Sequence, residues 1–326
     1  MTFDRFDIHQ HVTDQIVAML DQAKGDFRLP WHTPGSIMRP INVASCKPYQ
    51  GVNILALWAE AEKRGYGSGL WGTYRQWAAA GAQVRKGEKA AYIVFYKEAG
   101  RWDAAAADDA GQSAEPARRL VTRASAVFAV EQVDGYKLPQ PPPRDPVIAD
   151  ARAESVVAAT RAKIIHEGHR AFYRPSTDTI HVPPRFVFIG TSTSSPTEAY
   201  YSTLFHELTH YAGHETRCNR QLGKRFGEHA HAMEELVAEL GAAFLCADLQ
   251  ITCAPRIDHA QYLAHWLAVL RHDKRAIFSA ASKASEAVAF LSAVQPLSSN
   301  EPSRPAAQGS VESGNALPAS TLVASL

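Results

Sequence analysis

The stretch that decides the fold of the C-terminal half runs from Ser195-Pro-Thr-Glu198 to His206-Glu-Leu-Thr-His210. Its first four residues have the spacing of a capping box with proline at the first helical position, and Gly213 offers a stop after the second histidine. The spacing therefore predicts a helix on which His206 and His210, four residues apart, project from one face and can chelate a single Zn²⁺.

Glu207 stands beside the first of these histidines. From there its carboxylate can accept a proton from water held at the metal. The motif therefore predicts Glu207 as the catalytic base and His206 and His210 as metal ligands. The competing interpretation is a surface helix on which the three residues coincide by chance, because short motifs produce false positives.

A zinc peptidase site needs a third protein ligand and keeps one position open. The next predicted helix has an apolar stripe and, opposite it, Glu235 and Glu239 among small residues that let another helix approach closely. We expect Glu235 to be the third ligand and Glu239 to accept the other N–H of a metal-binding histidine. Glu234 is a weaker candidate and His214 a minor alternative, while a solvated acidic helix face is the competing explanation.

Length and composition limit the number of domains, the kinds of cysteine site and the cellular location that we expect. The 326 residues suit two domains, and a hydrophobic fraction of 46% lets each bury a core. The four cysteines lack CxxC spacing, which predicts neither a disulfide framework nor a cysteine zinc site. The sequence shows no leader pattern and no apolar run of the roughly 18–20 residues that span a bilayer, so we expect a cytoplasmic protein with no membrane partner.

Positive charge is concentrated in the first half, although the whole chain has a net charge of only +1. Residues 28–101 contain eleven Lys and Arg against four acidic residues. Cations interleaved with aromatic rings are typical of single-stranded DNA binding, in which phosphates meet the cations and bases stack on the rings. A solvated basic face and core aromatics are the alternatives. The candidate DNA-binding residues are Arg75, Arg85, Lys86, Lys89, Trp71 and Tyr74.

A proline-rich stretch at 138–147 predicts a stiff linker, because proline continues neither a helix nor a central strand. We therefore expect a small α+β domain over 1–137 and a helix-rich domain with the metal site over 148–295. The Ser/Pro/Ala-rich tail, 296–326, is predicted to be disordered. Helices are predicted over 7–23, 52–64 and 149–166, and strands over 92–97, 125–133 and 179–182.

Taken together, these features resemble the ArdC-type antirestriction proteins of plasmids and related mobile elements. The matching stretches include Tyr49-Gln-Gly-Val-Asn-Ile-Leu-Ala-Leu-Trp58, Trp71-Gly-Thr-Tyr-Arg-Gln-Trp77, the His206–His210 helix and Glu234-Glu-Leu-Val-Ala-Glu239. The last of these also resembles the second motif of gluzincins. The resemblance implies an α+β protein with an N-terminal single-stranded-DNA-binding domain and a C-terminal zincin-like metallopeptidase domain. It further implies that the protein protects incoming DNA from restriction.

The resemblance leaves open whether peptide cleavage takes part in that protection. We expect two partners, single-stranded DNA and a protein substrate such as a restriction endonuclease or a DNA-bound protein, and Zn²⁺ or another divalent metal as cofactor. One rival hypothesis is a non-catalytic DNA-binding protein whose metal site stabilises the fold. Another is a DNA-associated protease that acts on DNA-bound proteins.

Overall fold

The computed structural model describes residues 7–22, 39–98, 120–138, 146–189, 194–252 and 259–293. Most of the predicted linker and the whole of the predicted tail lie outside these ranges, and both stay predictions. The described helices are α1 (Ile8–Gln22), α2 (Val52–Arg64), α3 (Tyr74–Ala79), α4 (Pro146–Thr160), α5 (Pro196–Ala212), α6 (Gly223–Phe226), α7 (Ala230–Leu249), α8 (His259–His272) and α9 (Ala276–Ala293).

The described strands form three small sheets. The first has the order β1-β2-β5-β4, the second pairs β3 with β6, and the third has the order β7-β9-β8. In the third sheet β7 runs parallel to β9 and β8 antiparallel to it, so that β8 is an edge strand. The strands are β1 (Ile41–Asn42), β2 (Leu70–Gly72), β3 (Gln83–Val84), β4 (Ala91–Glu98), β5 (Leu120–Ala129), β6 (Val133–Asp134), β7 (Lys163–His166), β8 (Phe172–Arg174) and β9 (Thr179–Val182).

The largest hydrophobic core joins both halves of the chain. Helices α1 and α2 contribute to it together with α5, α7, α8 and α9, and Trp58 of α2 contacts Phe244 of α7 with ring centroids 5.8 Å apart. An ion pair between the buried Arg39 and Asp248, at 3.0 Å, also connects the halves. Two smaller cores lie in the first half, around Trp71 and around Trp77. The N-terminal elements are therefore packed against the helices that surround the predicted metal site.

The α+β fold class is confirmed, with a helix-rich second half. The predicted helix over 149–166 is wrong at its end: α4 stops at Thr160, and the residues from Lys163 to His166 form β7. The helix ends there because Arg161 has a positive φ of 53° and the next residues pair with β9, an interaction that helical periodicity does not report. Among the described helices, none is both long and apolar enough to cross a bilayer.

Candidate metal centre

Local capping interactions set both ends of helix α5. Ser195 Oγ accepts from the backbone N–H of Glu198 at 3.2 Å, and the Glu198 carboxylate accepts from the backbone N–H of Ser195 at 2.9 Å. Pro196 occupies the first turn, and Gly213 ends the helix. These contacts satisfy N–H groups that would otherwise be orphaned at a helix start. They also fix the helical phase that brings His206 and His210 to one face.

Helix α7 lies against α5 at a very short separation. Gly241 is the reason, because a Cβ built on it would lie 2.5 Å from both Oγ1 and Cγ2 of Thr209. Thr209 is itself fully buried, and its hydroxyl donates to the Phe205 carbonyl at 2.8 Å. The close approach carries the acidic residues of α7 to the histidine face of α5.

Two histidines and one glutamate converge at this contact. The Nε2 atoms of His206 and His210 are 3.2 Å apart. The carboxylate of Glu235 lies 3.4 Å from the first Nε2 and 3.6 Å from the second. All three ligand atoms lie within 4.8 Å of one another, and among the described residues no other such group of three or more metal-ligating side chains occurs. His214, the minor alternative, lies outside this group, with Nδ1 bonded to Thr216 at 2.9 Å.

The donor set fits a divalent metal. Two imidazoles and one carboxylate supply nitrogen and oxygen ligands, a combination that suits Zn²⁺ and neighbouring divalent ions. Burial by itself raises the pKa of Glu235, but the hydrogen bond with His206 and the charges of both histidines outweigh it and leave the pKa below its ordinary value. The carboxylate is therefore ionised at neutral pH, as a metal ligand must be.

Carboxylates also lie behind both histidines. The Nδ1 atom of His206 is 3.9 Å from Glu239, and the Nδ1 atom of His210 is 3.0 Å from Glu234. Such outer carboxylates favour the tautomer with the proton on Nδ1 and leave Nε2 free to bind the metal. The sequence pattern predicts this role for Glu239, whereas it gives Glu234 only as a weaker candidate for the third ligand.

Arg220 is a residue that the sequence reasoning missed. Its side chain is 1% exposed, its Nε donates to Glu234 at 2.7 Å, and its Nη2 donates to the Thr209 carbonyl at 2.9 Å. Burial raises the pKa of Glu234, but the Arg220 hydrogen bonds and His210 lower it to about 2. Arg220 therefore fixes the position of the Glu234 carboxylate, which in turn orients His210. It stands in a loop with no motif around it, so no sequence signal marks it.

A cleft of about 1050 Å³ opens onto the three converging side chains. Glu207 lines this cleft although the residue is only 2% exposed. Phe172 and Tyr173 of the edge strand β8 line another part of the wall. Asp178 and Arg217 hold that strand, since both bond to the Tyr173 hydroxyl, at 2.7 Å and 3.0 Å.

The candidate DNA-binding residues are spread over the surface of the first half. Arg75, Lys86 and Lys89 are exposed, and the Tyr74 side chain is 51% exposed. Arg85 is also exposed but forms ion pairs within the protein. Its partners are Glu88 at 2.8 Å and Asp134 at 3.5 Å. Tyr74, Arg85 and Lys86 line a shallow depression of about 740 Å³ beside β3.

The prediction for Trp71 needs correction. Its side chain is 2% exposed and packs in a core cluster with Leu57, Ile93 and Val127. A DNA base stacks on the free face of a ring, and this ring has none. Burial in that core explains the outcome, because a large aromatic side chain is also the most effective way to fill the space between β2, β4 and α2.

Family profiles match both halves of the chain. One described as the N-terminal domain of anti-restriction factor ArdC covers residues 6–128, and one described as zincin-like metallopeptidase covers residues 151–283. The chain is 47% identical over 306 residues to the uncharacterized protein y4eC of Sinorhizobium fredii (strain NBRC 101917 / NGR234), which covers 90% of this chain and 96% of that protein. It is 35% identical over 300 residues to the DNA primase TraC of Escherichia coli, a match that covers 88% of this chain but only 27% of the primase.

Two crystal structures of the antirestriction protein ArdC from the R388 plasmid have the same fold. The metal-free structure matches with a TM-score of 0.69 and 35% identity, and the Mn(II)-bound structure with 0.68 and 36%. Each match covers 89% of this chain and 98% of the other.

Proposed function

Because the chain belongs to the ArdC family of antirestriction proteins, we propose that it binds the single strands of incoming mobile-element DNA and protects them from restriction in the cytoplasm. We also propose that it carries an active zinc-metallopeptidase site. The observation that supports the second statement is the convergence of His206, His210 and Glu235, which line the same cleft as Glu207.

DNA binding is assigned to the first half, where the ArdC N-terminal profile matches. Arg75, Lys86 and Lys89 are exposed cations that can meet phosphates, and Tyr74 is an exposed ring on which a base can stack. Arg85 is a weaker candidate because binding a phosphate requires it to compete with Glu88.

The metal ligands in this proposal are His206, His210 and Glu235. Three protein ligands leave a position open, which is typical of catalytic rather than structural zinc sites. A zincin-like domain and a relative that binds Mn(II) support a divalent metal, and the nitrogen-rich donor set favours zinc among them. When bound, the metal would supply Lewis acidity, which polarises a peptide carbonyl and makes water more acidic.

The chain's own residues supply the remaining chemistry. Glu207 lines the cleft and accepts a proton from the attacking water, then passes it to the departing amine. Because β8 is an edge strand whose residues line the same cleft, an extended peptide can add to it as a further strand. The substrate would then be a protein with an accessible extended segment, such as a restriction endonuclease or a DNA-bound protein.

Glu207→Gln tests whether the site is a working peptidase. Glutamine keeps the shape but cannot take the proton, so metal content and DNA binding should persist while proteolysis falls by about 100- to 10,000-fold. Glu215→Gln is the matched control, because Glu215 is an exposed carboxylate of the same cleft. Cleavage of candidate proteins in vitro and restriction protection in cells would be measured at matched protein levels.

Three outcomes separate the hypotheses. Loss of both cleavage and protection supports proteolysis as the means of protection. Loss of cleavage with full protection favours occlusion of DNA by the bound protein alone. Equal cleavage by the variant and the wild type would contradict the role given to Glu207.

A further inference from the structure

A second cavity, of about 880 Å³, lies where elements of the two halves meet. The first half contributes the start of α2 and residues of β4 and β5, and the second half contributes α9. We call it the junction cavity. Neither the metal ligands nor Glu207 lines it.

Cations outnumber acidic residues on the wall of the junction cavity. Arg225, Arg275 and Lys283 face one acidic residue, Glu286. Arg225 pairs with Asp273 at 2.8 Å and Lys283 with Glu286 at 2.7 Å. By contrast, within the part of the chain that the structure describes, no carboxylate pairs with Arg275. Asp273, which already pairs with Arg225, interacts with Arg275 only at longer range, so the exposed Arg275 guanidinium is available to an anion.

Neutral hydrogen-bond donors line the same cavity. Ser279, Ser282 and Ser285 follow one another at intervals of three along α9 and reach it. The Ser285 hydroxyl accepts from the backbone N–H of Gly51 at 2.9 Å, and this contact fixes the start of α2 against α9. Gly51 is the N-cap residue of α2 and gives it no side-chain cap, and the first turn of α2 contains no acidic residue, so the helix itself places no negative charge at the positive end of its dipole. Serine hydroxyls and a helix start both suit phosphate oxygens.

An aromatic ring stands at the same place. Phe95 of β4 lines the cavity and is 48% exposed, and Arg123 pairs with it across the sheet and is also exposed. Burial and the charge of Arg275 together lower the pKa of His9, so that His9 adds a neutral imidazole to the wall. An exposed aromatic ring beside a cavity that is lined by cations and hydrogen-bond donors is the combination that binds one nucleotide of a single strand.

We propose that the junction cavity is a nucleotide subsite for single-stranded DNA, with a phosphate against Arg275 and the α9 serines and a base on Phe95. The inference rests on the proposed DNA-binding function and extends it, because the subsite requires residues beyond the ArdC N-terminal profile. One strand would then contact both halves of the protein.

The test measures binding of the full chain to a fluorescently labelled oligothymidine by anisotropy, over a range of NaCl concentrations. Phe95→Ala should weaken binding by roughly 5- to 100-fold, which corresponds to one lost base stack. Arg275→Gln should reduce the slope of log affinity against log salt by about 0.7, which corresponds to one lost phosphate contact. Matched controls are Phe186→Ala, an 88% exposed ring outside the cavity, and Arg152→Gln, an exposed arginine of α4. Both should bind as the wild type does.

Competition identifies the ligand. Thymidine monophosphate should displace the oligonucleotide more effectively than inorganic phosphate, and Phe95→Ala should remove that difference. Equal competition by both, with no effect of Phe95→Ala, would make the cavity a simple anion site and overturn the inference. Wild-type affinity in both cavity variants, with thermal midpoints unchanged, would overturn it while leaving DNA binding intact. Failure of the wild type to bind the oligonucleotide would refute the proposed function itself.

Discussion

Substitution of Gly241 by alanine tests whether the close contact between α5 and α7 assembles the metal centre. The added Cβ would lie 2.5 Å from two side-chain atoms of Thr209, whereas ordinary contact begins at 3.4 Å. The helices must therefore separate locally by up to about 0.9 Å. Thr209 cannot turn away easily, because it is fully buried and bonded to Phe205.

Two opposing terms set the stability change. Overpacking a dense core costs about 1–3 kcal/mol, and alanine gains about 1 kcal/mol over glycine within a helix. Because the contact involves two atoms of a fixed side chain, we expect the upper part of that cost and a net loss of about 1–2 kcal/mol. The free energy of unfolding without metal, measured with urea, checks this value.

The effect on the metal centre is a separate measurement. Metal–ligand distances tolerate about ±0.2 Å, so even part of the helix shift moves Glu235 out of range of the histidines. A tenfold weaker affinity would reduce metal-induced stabilisation from about 2.7 to about 1.4 kcal/mol at a metal concentration 100 times the wild-type Kd. Unfolding with and without Zn²⁺ gives this difference directly.

A compensating change and a control make the result specific. Thr209→Ala removes both atoms at 2.5 Å and leaves its own Cβ at 3.1 Å, so the double variant should regain part of the stability and metal affinity. Gly67→Ala is the control, because nothing lies within 4 Å of a Cβ built there. If Gly241→Ala kept both the wild-type unfolding free energy and the wild-type Zn²⁺ effect, the reasoning would be refuted.

Two further predictions concern the same domain. Elemental analysis should find that Glu235→Ala loses bound metal while His214→Ala keeps it, and the reverse result would exclude Glu235 as the third ligand. The second concerns acid stability: hydrogen bonds from Arg217 hold the pKa of Asp178 below its ordinary 3.8 despite some burial. Its contribution to stability is therefore present above that pH and lost as the pH falls through the folded-state pKa. In Asp178→Asn the unfolding free energy should therefore depend less steeply on pH in the acidic range. An unchanged pH dependence would contradict the stabilising role given to ionised Asp178.

Sequence patterns predicted best where the interactions are local. The capping box at Ser195, the proline after it and the glycine at 213 all act within one turn of the helix end that they define. The four-residue spacing of His206 and His210 then follows from helical geometry alone. For the same reason α2 has the predicted bounds, Val52–Arg64.

Predictions failed where a distant segment decides the outcome. The residues after Arg161 have helix-compatible periodicity, but pairing with β9, sixteen positions along the chain, makes them a strand. Trp71 lies in a basic, aromatic-rich segment of the kind that binds single-stranded DNA. Only the arrangement of β2, β4 and α2 shows that its ring fills a core. An aromatic side chain in a sequence does not report which of its faces another element will cover.

The metal centre combines both kinds of information. The sequence by itself determined the residue types, the helix with its two histidines and Glu207, and the small residues that let α7 approach with Glu235 and Glu239. The tertiary structure alone decided which atoms meet, since Glu234 reaches His210, and Arg220 reaches Glu234, only through packing between separate segments. The physical reason is the range of the interactions along the chain. Capping and periodicity act over one or two helical turns, whereas the metal ligands come together only when dense packing fixes the relative position of two helices to within a fraction of an ångström.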